Sequence, residues 1–286
     1  MKTGKIIVIL VACAAVLFLI FSFLVSDDAE DQSKFSQGQS EEFNTILYDN
    51  NGLKITAVSL KPLGQDYELG FLVENTGNED FYVTLHAYGI NGIMGGYFNS
   101  LNTYCNVGSG KKANTTLNIS ENTLSQRGIT SIKYFDLQFD VGESNLSGKK
   151  FDTGIIRLET ANFTDERQAF NSESLFSDSA ISVYYMGTSG NTIYVVVENT
   201  SDKSFAVGLK SMYINDYSID GFNDINIVHE IVFPESEAIL EIEIYDSFYE
   251  RNQIETANKI DFDLSYNFED DYDFHDTDTI TIGKGE

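Results

Sequence analysis

Apolar and polar positions alternate along much of the chain beyond residue 44. Leu69, Phe71 and Val73 alternate with Glu68, Gly70 and Leu72. After a polar turn, Phe81, Val83 and Leu85 alternate with Tyr82, Thr84 and His86. The same arrangement returns at Ile193, Val195 and Val197, then at Phe205, Val207 and Leu209. Period two is the mark of a strand with one buried face. The polar turns, Asn-Thr-Gly-Asn and Asn-Thr-Ser-Asp, supply residues that tolerate left-handed backbone angles and bond turn amides. They predict either a hairpin or two strands joined across a sandwich. Further strands are predicted at 53–60, 88–93, 113–119, 132–141 and 155–158, and at 180–185, 212–214, 238–244, 260–268 and 279–282. Glu121–Arg127 and Tyr245–Asn252 each read as one helical turn before a strand.

The alternation repeats because the sequence does. VENTGNEDFYVTLHAYGINGI at 73–93 lies over VENTSDKSFAVGLKSMYINDY at 197–217, identical at nine of twenty-one positions without a gap. FDLQFDV at Phe135 aligns with FDLSYNF at Phe262 once two or three residues are gapped, and Asp152-Thr153 lies 124 residues before Asp276-Thr277. The unit is a domain, longer than the 20–50 residues of a solenoid repeat. About seven strands in roughly 110 residues predict an antiparallel β-sandwich of immunoglobulin-like type, although the Cys…Trp…Cys hallmark is missing.

Ahead of the repeats, 6–25 read IIVILVACAAVLFLIFSFLV, twenty residues without a charge. Such a run matches the hydrocarbon thickness of a bilayer. Lys2 and Lys5 precede it, and Asp27, Asp28, Glu30 and Asp31 follow, so the positive-inside rule places the later residues outside. A cleaved signal peptide is the poorer reading, because SDDAED offers no small-residue cleavage site. LVAC, ending at Cys13, resembles a lipobox, and a lipoprotein anchored at Cys13 is the alternative to a single-pass anchor. The expected class is all-β: two tandem immunoglobulin-like antiparallel β-sandwiches after one N-terminal transmembrane helix. The expected layout is a cytoplasmic stub (1–5), a transmembrane anchor (6–25), an acidic flexible spacer (26–43), a first sandwich (44–160) and a second, acidic sandwich (161–286).

Charge separates the two copies. Of the net −26, residues 44–160 contribute −3 from twelve acids and nine bases, and residues 161–286 contribute −20 from twenty-six acids and six bases. That surface repels nucleic acid and anionic envelope polymers and accommodates a cation or a basic protein partner. Cys13 and Cys105 are the two cysteines, so no disulfide closes within the body, which suits a bacterial surface better than a eukaryotic secretory route.

Candidate chemistry is sparse. The histidines are His86, His229 and His275; His86 falls on the outward face of its strand and has Lys210 as its counterpart, and all three read as isolated surface residues. No nucleophile elbow, zinc-protease or Cys-x-x-Cys motif occurs. Cys105 reads as an inert thiol. EDDYDFHDTD at 269–278 holds six carboxylates in ten residues, and DYSIDGFND at 216–224 is a thinner cluster. Neither has EF-hand spacing, so solvated turns are preferred over calcium sites. The glycine-rich stretch 89–96 reads as a turn with a bulge. No catalytic, cofactor-binding or metal residue is assigned, and no cofactor is expected.

The pattern apolar strand, E-N-T-x-[ND], apolar strand, I-N-[GD], with GKKANTTLNI at Gly110–Ile119 and the strand FDLQFDV, resembles uncharacterised extracytoplasmic domains of Gram-positive surface proteins and lipoproteins, the DUF4352-type immunoglobulin-like sandwiches. In the second copy FPESEAILEI at Phe233–Ile242 replaces the Gly-Lys element. The resemblance implies a surface-displayed sandwich and carries no site residue. The resulting expectation is a non-enzymatic, membrane-anchored extracytoplasmic protein, a binding module or spacer attached to the cell membrane through 6–25. The alternative is an accessory subunit that modulates an envelope transporter, sensor or enzyme through its acidic second domain.

Overall fold

The apolar rows build an all-β molecule. The structure is a computed structural model that describes residues 39–96, 102–143, 148–166, 174–221, 223–226, 228–269, 271 and 273–283. The stretches expected as an anchor (6–25, with Cys13), a stub (1–5) and most of the expected spacer (26–43) lie outside the described residues. Among the described residues no helix is long and apolar enough to cross a membrane. All of them belong to one compact unit, Gly38–Glu286.

The first copy contributes β1 (Glu41–Asn50), β2 (Leu53–Leu63), β3 (Asp66–Asn75), β4 (Phe81–Ile90), β5 (Ile93–Met94), β6 (Tyr104–Val107), β7 (Lys112–Ile119), β8 (Tyr134–Gly142), β9 (Phe151–Asp152) and β10 (Ile156–Glu159). Helix α1 (Glu121–Gln126) sits between β7 and β8. The second copy contributes β11 (Ser174–Ser177), β12 (Ile181–Ser189), β13 (Thr192–Asn199), β14 (Phe205–Ile214), β15 (Tyr217–Ser218), β16 (His229–Val232), β17 (Glu237–Glu243), β18 (Lys259–Phe268), β19 (His275–Asp276) and β20 (Ile280–Gly283). Helix α2 (Asp246–Asn252) precedes β18. Strand β1 begins inside the stretch read as spacer, and β6 and β16 are strands that the apolar pattern misses.

Three sheets result. One has the order β1-β2-β3-β7, and a third has β15-β14-β18-β19 with β16 on β14 and β20 on β18. Between them lies a ten-stranded sheet, β10-β8-β4-β5-β17-β13-β12-β11, with β6 on β4 and β9 on β8. Phe71 of β3 meets Phe139 of β8 edge to face at 5.3 Å, closing the first sandwich. The second core packs Val195 and Leu240 of the long sheet with Phe205, Phe262 and Leu264 of the third. Both sandwiches therefore share the long sheet. They meet where β5 pairs in parallel with β17 at Ile93 and Glu237, and the Glu237 amide donates to the Gly92 carbonyl at 2.9 Å. Ala87 and Met94 of the first copy are buried within the second copy's core cluster.

The repeated stretch turns the chain from one sheet to the opposite one, so the crossing applies and the hairpin does not. Its asparagine organises the turn identically in both copies. Asn75 Nδ2 donates to the Glu79 and Val107 carbonyls, and its Oδ1 accepts from the Gly77 amide. Asn199 Nδ2 donates to the Lys203 and Val232 carbonyls, and its Oδ1 accepts from the Ser201 amide. The I-N element is a second pin. Asn91 and Asn215 have φ of 55° and 48°, in the left-handed region asparagine tolerates. Asn91 Oδ1 accepts from the Lys133 and Tyr134 amides, and Asn215 Oδ1 from those of Asn258 and Lys259. Thr153 and Thr277 are a third, each hydroxyl accepting from the amide of a core strand residue, Phe139 or Leu264.

These pins correct the alignment of β8 with β18. Leu85 pairs with Phe139 and Leu209 with Leu264, so Phe139 is equivalent to Leu264 and Phe135 to Ile260. The sequence match of Phe135 with Phe262 slips by two residues. A two-residue slip keeps every side chain on its own face, so alternation cannot detect it.

Candidate functional site

The corrected equivalence exposes the main difference between the copies. At one end of the second sandwich, a groove of about 880 Å³ opens between the sheets. Its apolar lining includes Tyr185, Ile193, Tyr249, Ile254, Ala257, Ile260 and Ile282, with Thr188 beside them. The backbone register makes the first-copy counterparts of Thr188, Ile193 and Ile260 Leu60, Leu69 and Phe135. Matching amide bonds, from Ile129 to Leu124 and from Ile254 to Tyr249, pair those positions also. By the same offset Ala257 replaces Ile132. In the first copy Leu60, Leu69, Leu124, Ile129, Ile132 and Phe135 are all buried core. The second copy thus has Thr for Leu, Ala for Ile and Ile for Phe where one sandwich end must be filled, while Tyr249 for Leu124 and Tyr185 for Ala57 add volume. Cores pack densely, so the three shorter side chains leave space that Tyr185 and Tyr249, both only partly buried, do not fill.

Cover differs too. Ten-residue β1 runs along β2 as far as Glu41 opposite Leu60, and Gln39 donates to the Ile132 carbonyl. In the second copy the described outer neighbour of β12 is the four-residue β11, which reaches Tyr184. Residues 167–173, which lead into it, lie outside the described residues. Asp246 and Glu255 stand at the groove, and among the described residues no lining residue is Lys or Arg. Burial, with Asp246 nearby, pushes the Tyr249 phenol above its ordinary value, so it remains a neutral donor. The groove offers apolar contact, hydrogen bonding and negative charge.

The residues singled out in the sequence fall elsewhere. His86 is not an isolated surface residue: its ring lies between Asp140, 3.0 Å from Nδ1, and Glu269 of the other copy, 2.7 Å from Nε2. The outward-face reading missed this because Glu269 is 183 residues away. His229 is partly buried, which lowers its pKa, and His275 stacks on Tyr266 at 5.3 Å. Cys105 is buried, and burial pushes its thiol up to about 11. Among the described residues no group of three or more His, Cys, Asp or Glu is placed to hold a metal ion. In the 216–224 cluster, buried Asp224 accepts from Arg251 Nη2 at 2.9 and 2.8 Å and from the Asp220 amide at 2.9 Å. A guanidinium, seated over Phe248, occupies the position a cation would take. The glycine-rich stretch makes the β4–β5 hairpin, with Asn91 and Gly92 both at positive φ as a tight hairpin turn requires.

No protein-family model and no curated protein matches the chain. Solved structures give faint likenesses. Red sea bream transglutaminase is 10% identical with a TM-score of 0.21, over 87% of this chain and 31% of that one. The Salmonella enterica SafA pilin with the SafB chaperone is 10% identical with a TM-score of 0.20, over 76% and 89%. The CsuC–CsuE chaperone–tip adhesion subunit complex of Acinetobacter baumannii is 16% identical with a TM-score of 0.22, over 77% and 92%. The chain spans less than a third of the transglutaminase's length. Scores this low assign neither fold family nor activity.

Proposed function

We propose that the protein is a non-enzymatic, membrane-anchored extracytoplasmic binding module of two tandem immunoglobulin-like sandwiches, and that it binds through the groove of the second copy. The observation that carries this reading is the under-filled sandwich end: buried core positions of one copy line an open, acid-rimmed groove in the other. Its chemistry suits an apolar group that carries a cation or hydrogen-bond donors. The test places a photo-crosslinking residue on intact cells at position 255, beside the groove, or at its first-copy equivalent, position 130. A defined product from 255 and none from 130 is expected. Refilling the groove with the first copy's residues, Thr188→Leu with Ala257→Ile, should abolish that product while raising the melting temperature. Equal products from both positions, or a product that survives refilling, would sink the reading.

The accessory-subunit reading rests on a different observation. The second copy carries a net −20, and its Lys210, Arg251 and Lys259 are each paired with carboxylates of that copy. Partner association through that surface should weaken as salt rises through the physiological range.

A further inference from the structure

The joint between the copies carries a polar cluster that the groove does not use. His86 sits on a β-bulge: the β4–β8 register passes from Leu85↔Phe139 to Ala87↔Gln138 and skips it. The second copy repeats this bulge at Lys210, between Leu209↔Leu264 and Ser211↔Asp263. A bulge re-aims one side chain, here a basic one in both copies. Lys210 bonds Asp276 of its own copy at 2.7 Å. In the first copy the equivalent Asp152 is taken by Lys149 at 3.1 Å. His86 instead bonds Asp140 on β8 and reaches across the joint to Glu269 after β18. Gln138 Nε2 also approaches Glu269, at 3.5 Å. Among the described residues, the charged groups around the ring include Asp140, Asp152, Lys149 and Glu269. Next along β4, Ala87 is buried with Met94 in the second copy's core.

The geometry points to a proton-operated latch: His86 holds the second copy through Glu269 only while its ring carries both protons. A neutral imidazole has one N–H, so one of its two carboxylate contacts would set a lone pair against a negative oxygen. Burial works to lower the His86 pKa, but the hydrogen bonds to Asp140 and Glu269 outweigh it and raise it from 6.5 to about 9. The raised value means the stabilisation is complete below pH 6.5 and is lost as pH rises through about 9. Lys210, with its higher ordinary pKa, makes the same bulge insensitive in that window. The latch is therefore an alkaline release of one sandwich from the other.

Methyl-labelled methionine makes this testable in the full chain in micelles, because the sequence has only four methionines and Met94 lies in the joint. The Met94 methyl signal should shift between pH 7 and 10 with a midpoint near 9, alongside the His86 ring signals. His86→Lys should move that transition out of the window. Glu269→Gln should hold Met94 at its high-pH position throughout while the chain stays folded. A Met94 signal that is unchanged from pH 7 to 10, or that titrates the same way in Glu269→Gln, would overturn the latch.

Discussion

The asparagine of each ENT turn is a buried polar group held mainly by backbone partners, with the Ser201 hydroxyl added at Asn199. Asn75 is 2% exposed and Asn199 is fully buried. Truncating either removes the side-chain partner of two carbonyls and one amide, of which the Lys203 carbonyl keeps the Ser201 hydroxyl. Each unsatisfied group costs about 1–3 kcal/mol, partly relieved by water at the turn. Asn199→Ala should therefore destabilise by about 3 kcal/mol in a denaturant melt, and Asn75→Ala by a similar amount. Thr76→Ala, at an exposed position of the same turn, should cost much less. The repeated letters were visible in the sequence, as was the core-facing row that ends at Val73 and Val197, both fully buried. The role of the asparagine was not, because Val107 and Val232 lie about thirty residues along the chain. His86 shows the same limit more sharply: local pattern gave the face it points from but not the carboxylate that meets it from another domain.

At the scale of the element, periodicity located strands and both short helices but could not set register. The FDL match drew β8 and β18 two residues out of step, and that slip hid the replacements of Ile132 by Ala257 and Phe135 by Ile260. Once Leu60 is matched with Thr188 and Ile132 with Ala257, the shortened side chains at that end can be read from the letters, but Tyr185 in place of Ala57 offsets them and only the structure shows the open groove. The α2 region carries its own test. Asp224 is buried and depends on Arg251, whose guanidinium holds its carboxyl below the ordinary carboxylate range. Removing a partner strands a buried charge, whereas removing both does not. Arg251→Ala should lower the melting temperature, and Asp224→Asn in that background should restore part of it. The depressed carboxyl also means that stabilisation from this pair is lost as pH falls into the acid range, opposite in sign to the His86 latch.

For the whole molecule, the deciding contact is the parallel pairing of Ile93 with Glu237 that makes one sheet of two sandwiches. It joins unlike surfaces: the hairpin edge of one copy to the β17 edge of the other. A contact between unlike patches is directional, and a directional contact can be repeated without end. A third sandwich, from this chain or another, would look for the same hairpin edge on the second copy. There it meets Ser211, Tyr217 and Ser218 in place of Ala87, Ile93 and Met94. The apolar plug that seats the joint is missing, and β15 is exposed on both its residues. Grafting it, by Ser211→Ala, Tyr217→Ile and Ser218→Met together, should turn the chain into a species whose sedimentation coefficient climbs with concentration. An unchanged sedimentation coefficient in that variant would mean that the residues at this edge do not decide whether the shared sheet stops at two sandwiches.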